Sequence, residues 1–517
     1  MYKSERIFSK PSVQIACFAF LALIVHALVL KFIFPGYYSP LYPHHSDFYI
    51  SVALAHSPED YFQYRYLGYS RPLGIFFLKF IGSLGIHGAI LFTVINVAIN
   101  CSLSAVLAQR MLKTEIKWTT LLFFSVYCWL LFSQAYFYTF YTQDVFSHLS
   151  YSFIITGACI FTNQYKRRKT VAYSALFILL IIAFLCKETY ALSAVFCAIL
   201  WYIYNKRTTG KSSPALPLIT VGAIVLVVLF NLIIKSVFTN FNSAATDPYY
   251  INLTPASIIK EMALYAKEGL NVLHWIILAI IAVCGIMYFR TPEKRFSYLA
   301  IGCILAAVLS WLPNALIPNH HNGGYSFNGA YLLYLPVVFM PVLMNQSKNL
   351  RRLTPVLMLA AFISPYFNQK EYAKQWWVLQ QENTERHLLK SLDTLMKLQP
   401  SAQPHHILVT GLTMPFFPFH HPASLKAYPN EKFGLYDVVD YSLNLPHDRY
   451  KAVKFVLPAD VQIKEYNSIW LFNNDGNFLR KITVDSSLLK AVELNNCKDL
   501  ILYPDSIKNQ KLSSLIK

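Results

Sequence analysis

The sequence predicts an α-helical polytopic membrane protein of about eleven transmembrane helices, followed by a small C-terminal extracytoplasmic α/β domain. Three observations lead there. Of 517 residues, 55% are hydrophobic and only 14% charged, against about 25% charged in an ordinary soluble domain. Apolar runs of about 17–25 residues, the length that crosses a bilayer as helix, recur along the first two thirds of the chain. Lys and Arg gather between alternate runs, as the positive-inside rule requires of cytoplasmic loops.

Taken in order, the first apolar run covers 12–34 and follows Lys3, Arg6 and Lys10. That basic start is like a signal peptide, but the run from Pro11 to Pro35 is long and lacks a small-x-small cleavage site, which predicts a retained anchor. A polar loop follows, and within it Arg71–Gly85 is amphipathic enough to lie along an interface. Further helices are expected at 86–109, 118–136, 147–163, 171–186, 189–205 and 215–238. A second outer loop, 239–270, reads as helical around Ile258–Gly269, and helices at 271–289, 297–317, 329–345 and 353–366 complete the set.

Charge sets the orientation. Arg110, Lys113, Lys117, the 166–169 cluster, Lys206, Arg207, Lys211, Arg290, Lys294, Arg295, Lys348, Arg351 and Arg352 all fall on the side assigned to the cytoplasm. The opposite side holds the sparser set Arg65, Arg71, Lys79, Lys187, Lys260 and Lys267, with Lys235 near a helix end. An odd number of crossings then puts the N-terminus in the cytoplasm and the C-terminus in the periplasm of a bacterial inner membrane.

The expected domains are therefore 1–366, the membrane region, and 367–517, an extracytoplasmic tail. The tail has many charges and no spanning run. A helix is predicted over Lys370–Leu398, with strands at 406–410, 452–457, 468–472 and 499–503. About 150 residues suffice for an independent core.

The formal charge of +19 does not point to nucleic acid, because the basic residues are dispersed between apolar runs rather than gathered in one field. Membrane lipid headgroups account for them. Of the nine cysteines, only Cys497 lies outside the apolar runs, so neither a disulfide framework nor a CxxC metal site is offered.

Several residues are candidates for chemistry. Asp47, early in the first outer loop, reads either as a general base for a hydroxyl or as a helix cap. Arg71-Pro72-Leu73 reads either as a planar fork for phosphate or as an arginine snorkelling to a headgroup ahead of an interfacial helix. Lys187-Glu188 stands between two apolar runs, where charge is costly and so a functional candidate, although a salt bridge fixing the turn is the plainer account. Asp144 is the acid of the next outer loop, either a polar contact or simply solvated. His-His pairs at 44–45, 320–321, 405–406 and 420–421 point their rings apart, which suits surface or structural roles better than a shared metal.

Together these features resemble the GT-C class of polytopic glycosyltransferases, which use polyprenyl-phosphate-linked sugars. Asp47 matches the position of the class's first-loop acid. Phe184-Leu-Cys-Lys-Glu-Thr-Tyr-Ala-Leu is similar to the Lys-Glu-Thr stretch of tetratricopeptide-containing O-mannosyltransferases. Tyr331-Leu-Leu-Tyr-Leu-Pro336 looks like their Tyr-Leu-Tyr-Leu-Pro segment, and the Arg-Pro-Leu turn resembles that of bacterial O-antigen glucosyltransferases. The chain departs from the pattern in three places. Ser46-Asp47 stands where many relatives have two adjacent acids, Gly329-Ala330 replaces an arginine, and the tail has no tetratricopeptide repeats.

The resemblance implies an inverting glycosyltransferase that moves a sugar from a polyprenyl-phosphate donor to a hydroxyl on a glycan, lipid or protein at the outer face of the membrane. Asp47, Lys187 and Glu188 would be catalytic. Arg71, Lys187 and Arg65 would bind the donor phosphate, and Asp144, Tyr325, His320 and His321 would contact sugar or acceptor. No metal or other cofactor is required by this scheme; a divalent cation is compatible with it but not indicated. Two alternatives belong to other classes: a transporter or flippase of lipid-linked sugars, and a non-catalytic membrane scaffold with an outer binding domain.

Overall fold

The structure is a computed structural model of the full chain. It describes residues 11–33, 72–114, 117–134, 145–165, 167–210, 213–238, 251–267, 295–318, 323–344, 348–375, 406–413, 433–439, 453–456, 462–472 and 478–495. These are mostly helical, with a small sheet near the C-terminus. The chain divides into two compact units, one holding most of the chain up to Ala373 and the other holding Lys374–Lys517.

In the helical unit, α1 (Pro11–Phe32) and α2 (Pro72–Ser83) both start on a proline, which has no N–H to leave unsatisfied at a helix start. The succeeding helices are α3 (Gly85–Leu112), α4 (Trp118–Phe132), α5 (Val145–Gln164), α6 (Lys169–Cys186), α7 (Ala191–Thr209) and α8 (Ala215–Phe238). A helix over 255–267, α9, matches the one expected in the second outer loop, and α10 is Arg295–Ala315. Asn252 prepares the start of α9 by accepting from the backbone N–H and the hydroxyl of Thr254.

Among the described residues, six helices are long and apolar enough to cross a membrane: Ser12–Phe32, Leu91–Leu112, Val145–Gln164, Lys169–Cys186, Ala215–Ile233 and Arg295–Ala315. Trp118–Phe132 and Thr354–Phe367 are shorter apolar helices. The expected span at 271–289 lies outside the described residues. Such a set is that of a multi-pass membrane protein, and the outward side chains of α8, among them Leu218, Val225, Leu229 and Ile233, are apolar and exposed.

Close packing fixes the helices against one another. Gly157 brings α5 onto α6, since a Cβ there would stand 3.0 Å from the Leu176 methyl and 3.4 Å from Leu179 Cβ. Phe161, Leu176, Leu180, Phe184 and Val227 form the core shared by α5, α6 and α8. Phe18 of α1 meets Phe124 of α4 with ring centres 4.5 Å apart. Gly210, at φ 68°, ends α7 in the left-handed conformation that glycine adopts without steric penalty.

The segment expected as one continuous helix over 329–345 is built differently. It runs as a 3-10 turn (Gly323–Gly329), a short helix α11 (Ala330–Leu333), a second 3-10 turn (Leu335–Phe339) and α12 (Met340–Met344). Pro336, which has no N–H to donate, sits at the start of the second turn. The next helix, α13, runs unbroken from Lys348 to Gln375 through Pro355 and Pro365, covering the last expected span and the first residues of the expected tail helix.

The second unit is a five-stranded mixed sheet of order β3-β2-β1-β4-β5, made of β1 (His406–Thr413), β2 (Phe433–Val439), β3 (Val453–Val456), β4 (Ser468–Phe472) and β5 (Phe478–Thr483). Among the described strands β1 and β4 are the parallel pair, and their residues 407–410 and 468–472 are buried. Leu408, Ile463, Tyr466, Ile469 and Ile482 form a core on which Leu488 and Leu489 of α14 (Ser486–Asn495) pack. Asn467 ties the strands at their entry: its side chain accepts from the His406 N–H at 2.7 Å and its carbonyl from Val484. The expected strands at 406–410, 452–457 and 468–472 coincide with β1, β3 and β4, and 499–503 lies outside the described residues.

Candidate functional site

The break between α6 and α7 is made by Lys187, whose backbone is extended at φ −164° and ψ 137°, followed by a 3-10 turn over Glu188–Tyr190. The helix cannot simply stop in an apolar interior, because its last carbonyls need donors. Lys187 N–H donates back to the Ala183 carbonyl at 2.9 Å, and the Lys187 carbonyl in turn accepts from the Ser150 hydroxyl of α5 at 2.9 Å. The turn is thus anchored to two helices.

Lys187 is 5% exposed, far below what a lysine usually shows. Its ammonium stands 4.7 Å from the centre of the Tyr325 ring, a cation–π contact. Glu188 is half-buried, and Thr189 and Tyr190 are buried. The Tyr190 hydroxyl donates to the Asn328 carbonyl at 2.8 Å, so the turn meets the 3-10 segment Gly323–Gly329 at both its ends.

That segment is held equally firmly from behind. Trp311 of α10 donates its indole N–H to the Ser326 carbonyl at 2.8 Å. A Cβ on Gly329 would come within 2.8 Å of Trp311 Nε1 and 2.9 Å of the Ala307 carbonyl, so no larger residue fits as the backbone stands. This gives a packing reason for glycine where the GT-C resemblance would put an arginine.

Around these residues runs a buried polar network. Ser152 of α5 donates to Asn100 Oδ1 of α3 at 2.7 Å, and Asn100 donates to the His148 carbonyl at 3.1 Å. His148 Nδ1 and the Tyr331 hydroxyl are 2.9 Å apart, and the Tyr127 hydroxyl donates to the Tyr331 carbonyl at 3.1 Å. Tyr151 stacks on Tyr331 with ring centres 4.6 Å apart and planes 9° apart, while its hydroxyl lies 2.7 Å from Ser104 Oγ. Such contacts fix one arrangement of α3, α4, α5 and the 323–334 segment.

Two motifs distant in sequence approach each other here. The first turn of α2 begins directly after Arg71, and Gly74 in that turn lies against α5 and the end of α6. A Cβ on Gly74 would overlap the Phe146 ring and stand 3.1 Å from the Cys186 carbonyl. The start of the Arg-Pro-Leu helix is therefore beside the residue that precedes Lys187.

Of the residues expected to form a site, the structure brings Lys187 and Tyr325 together, and Glu188 opens the 3-10 turn that follows Lys187. Asp47, Arg65, Arg71, Asp144, His320 and His321 lie outside the described residues. Sequence reading passed over Tyr190, Asn328, Ser150 and His148. The signal for two of them was present, since Ser147, His148, Ser150 and Ser152 interrupt an otherwise apolar run that is long enough to span. Among the described residues there is no group of three His, Cys, Asp or Glu that would hold a metal ion. Comparison with protein-family models, curated proteins and solved structures gives no match to this chain.

Proposed function

We propose that the chain is an inverting glycosyltransferase of GT-C-like architecture, with about eleven spans. It would take a sugar from a polyprenyl-phosphate donor to a hydroxyl acceptor on a cell-envelope glycan, lipid or protein. Its proposed place is a bacterial inner membrane, N-terminus cytoplasmic and C-terminus periplasmic, with the reaction on the outer face. The observation that carries this reading is the buried ammonium of Lys187 at a break between two apolar helices, beside the helix that starts after Arg71. A cation held in low dielectric is well suited to an anionic leaving group.

In the proposed reaction the acceptor oxygen attacks the anomeric carbon from the face opposite the phosphate, which inverts that centre. Its proton passes to the Asp47 carboxylate. The bond between the anomeric carbon and the phosphate oxygen breaks, and its electron pair leaves with the lipid phosphate. Lys187 and Arg71, with Arg65, meet the charge that develops there. Glu188 orients Lys187, while Asp144, Tyr325, His320 and His321 hold sugar or acceptor. Because protein cations meet the leaving phosphate, the scheme requires no metal or other cofactor.

The test follows labelled sugar leaving polyprenyl phosphate in the presence of the purified full chain and a membrane acceptor fraction. Lys187→Ala lowers the rate by about 10²–10³, the usual effect of removing one group that stabilises transition-state charge. Asp47→Asn and Arg71→Ala lower it as well. Unchanged rates in Asp47→Asn and Arg71→Ala would sink the proposal.

One observation favours a second reading, transport of lipid-linked sugars. The broken path of 323–344, mostly buried between 326 and 340, is of the kind that lines sites in transporters. Movement of labelled lipid-linked sugar across proteoliposomes without any covalent transfer would select it.

A further inference from the structure

A 3-10 helix has about three residues per turn, so positions three apart share a face. The faces of Gly323–Gly329 meet different neighbours. Ser326 and Gly329 back onto α10, through the Trp311 indole and the Ala307 carbonyl. Phe327 turns to α5, its ring centre 5.8 Å from that of His148. Tyr325 and Asn328, three apart, share the remaining face, where the Lys187 ammonium lies over the Tyr325 ring; the Tyr190 hydroxyl reaches the Asn328 main-chain carbonyl.

Asn328 is 1% exposed, and its side-chain Nδ2 has no hydrogen-bond partner among the described residues. Its backbone carbonyl is already taken by Tyr190. Buried amide donors are satisfied in folded proteins, by protein, water or ligand. A donor amide on the face that also meets a buried ammonium is suited to an oxyanion, which accepts from both.

We infer that the Asn328 amide and the Lys187 ammonium form one oxyanion subsite, which takes the phosphate ester of a lipid carrier. This rests on the reading of the chain as a polyprenyl-phosphate-sugar enzyme and adds a residue that the family resemblance does not supply. Asn328 binds the phosphate as a neutral donor, while Lys187 supplies the charge.

The experiment uses the full chain in phosphatidylcholine nanodiscs, titrated with a short-chain polyprenyl monophosphate, the matching polyprenol and inorganic phosphate. A second set of discs contains phosphatidylglycerol. Wild type binds the polyprenyl phosphate and not the polyprenol. Asn328→Ala binds it at least about tenfold more weakly, the effect of losing one hydrogen bond to a charged group. Its melting temperature without ligand stays close to that of the wild type, since Nδ2 makes no hydrogen bond to any described residue. Asn328→Asp, nearly the same shape, weakens binding further by setting a carboxylate against the phosphate, and serves as a second variant should Asn328→Ala fail to fold.

Equal binding by wild type and Asn328→Ala overturns the inference. So does a lowered melting temperature with binding intact, which would make the amide a structural group, and so does a response confined to phosphatidylglycerol. Sugar transfer at the normal rate by Asn328→Ala removes the subsite and leaves the transferase reading standing. Binding that depends on Asn328 in a chain with no transfer activity keeps the subsite and removes the transferase reading.

Discussion

Alongside apolar side chains such as Phe161 and Leu176, the buried centre of the helical unit holds Asn100, Ser104, His148, Ser150, Lys187 and Asn328, whereas the core of the sheet unit is Leu408, Ile463, Tyr466, Ile469 and Ile482, with Thr410 and Ser468 as its buried polar residues among those described. The outward faces differ in the opposite sense: α8 presents Leu218, Val225 and Leu229, while β5 presents Arg480 and Lys481. Helices surrounded by lipid gain little by hiding leucine from other hydrocarbon, so they associate through small residues and internal hydrogen bonds. The sheet unit follows the rule of folds in water, where burying apolar surface supplies the main drive. One chain thus carries two interiors that respond to different substitutions.

Ile469→Ala gives the largest expected stability effect. It removes a fully buried side chain from β4, and about 2–5 kcal/mol is lost from the sheet unit. Denaturant unfolding of the full chain in detergent, followed through near-ultraviolet signals of the sheet unit, measures it. A loss no greater than that of a surface substitution would break the contrast from the apolar side.

Ser150→Ala probes the polar interior. It removes the hydrogen bond to the Lys187 carbonyl, and about 0.6 kcal/mol is expected, the average for such bonds between membrane helices. The same unfolding measurement applies, and a loss as large as that of Ile469→Ala would show that the polar interior is the stronger of the two.

The smallest effect concerns pH. Asp485 caps α14, accepting from the Ser487 hydroxyl at 2.6 Å and the Leu488 N–H at 2.8 Å. These hydrogen bonds, first from Ser487 and then from Leu488, hold its carboxyl below the usual value of 3.8. The contribution to stability is present above that value and is lost as pH falls through the lower folded value. Asp485→Asn flattens this part of the acid dependence of melting, and an unchanged acid limb in that variant would remove the cap from the account.

Much of the helical unit was legible in the sequence because a bilayer imposes a length and a polarity on each crossing. Residues 215–238 were marked by hydropathy alone and are α8 to the residue, and 147–163 and 171–186 fall within α5 and α6. The stretch 329–345 looked the same by hydropathy, yet it is broken, because composition does not register a proline that withholds one N–H at a given turn. In the tail, the strand reading marked β1, β3 and β4 but passed over β2 and β5. Strand pairing is a long-range contact, and no local period announces it.

The candidate site shows the same division. By itself the sequence determined that Lys187 interrupts two apolar runs, that Tyr325 and Asn328 are three residues apart, and that Arg71 precedes a helix starting on proline. Only the tertiary structure decided that the Lys187–Tyr190 turn lies against Gly323–Gly329, with the ammonium over the Tyr325 ring and Tyr190 on the Asn328 carbonyl. Residues more than 130 positions apart meet there because Ser150, Trp311 and the absent Cβ of Gly329 hold two short turns between three helices. Charge in an apolar run is a local property that a sequence displays. Which ring, amide or ligand answers that charge is set by packing, which couples every element at once.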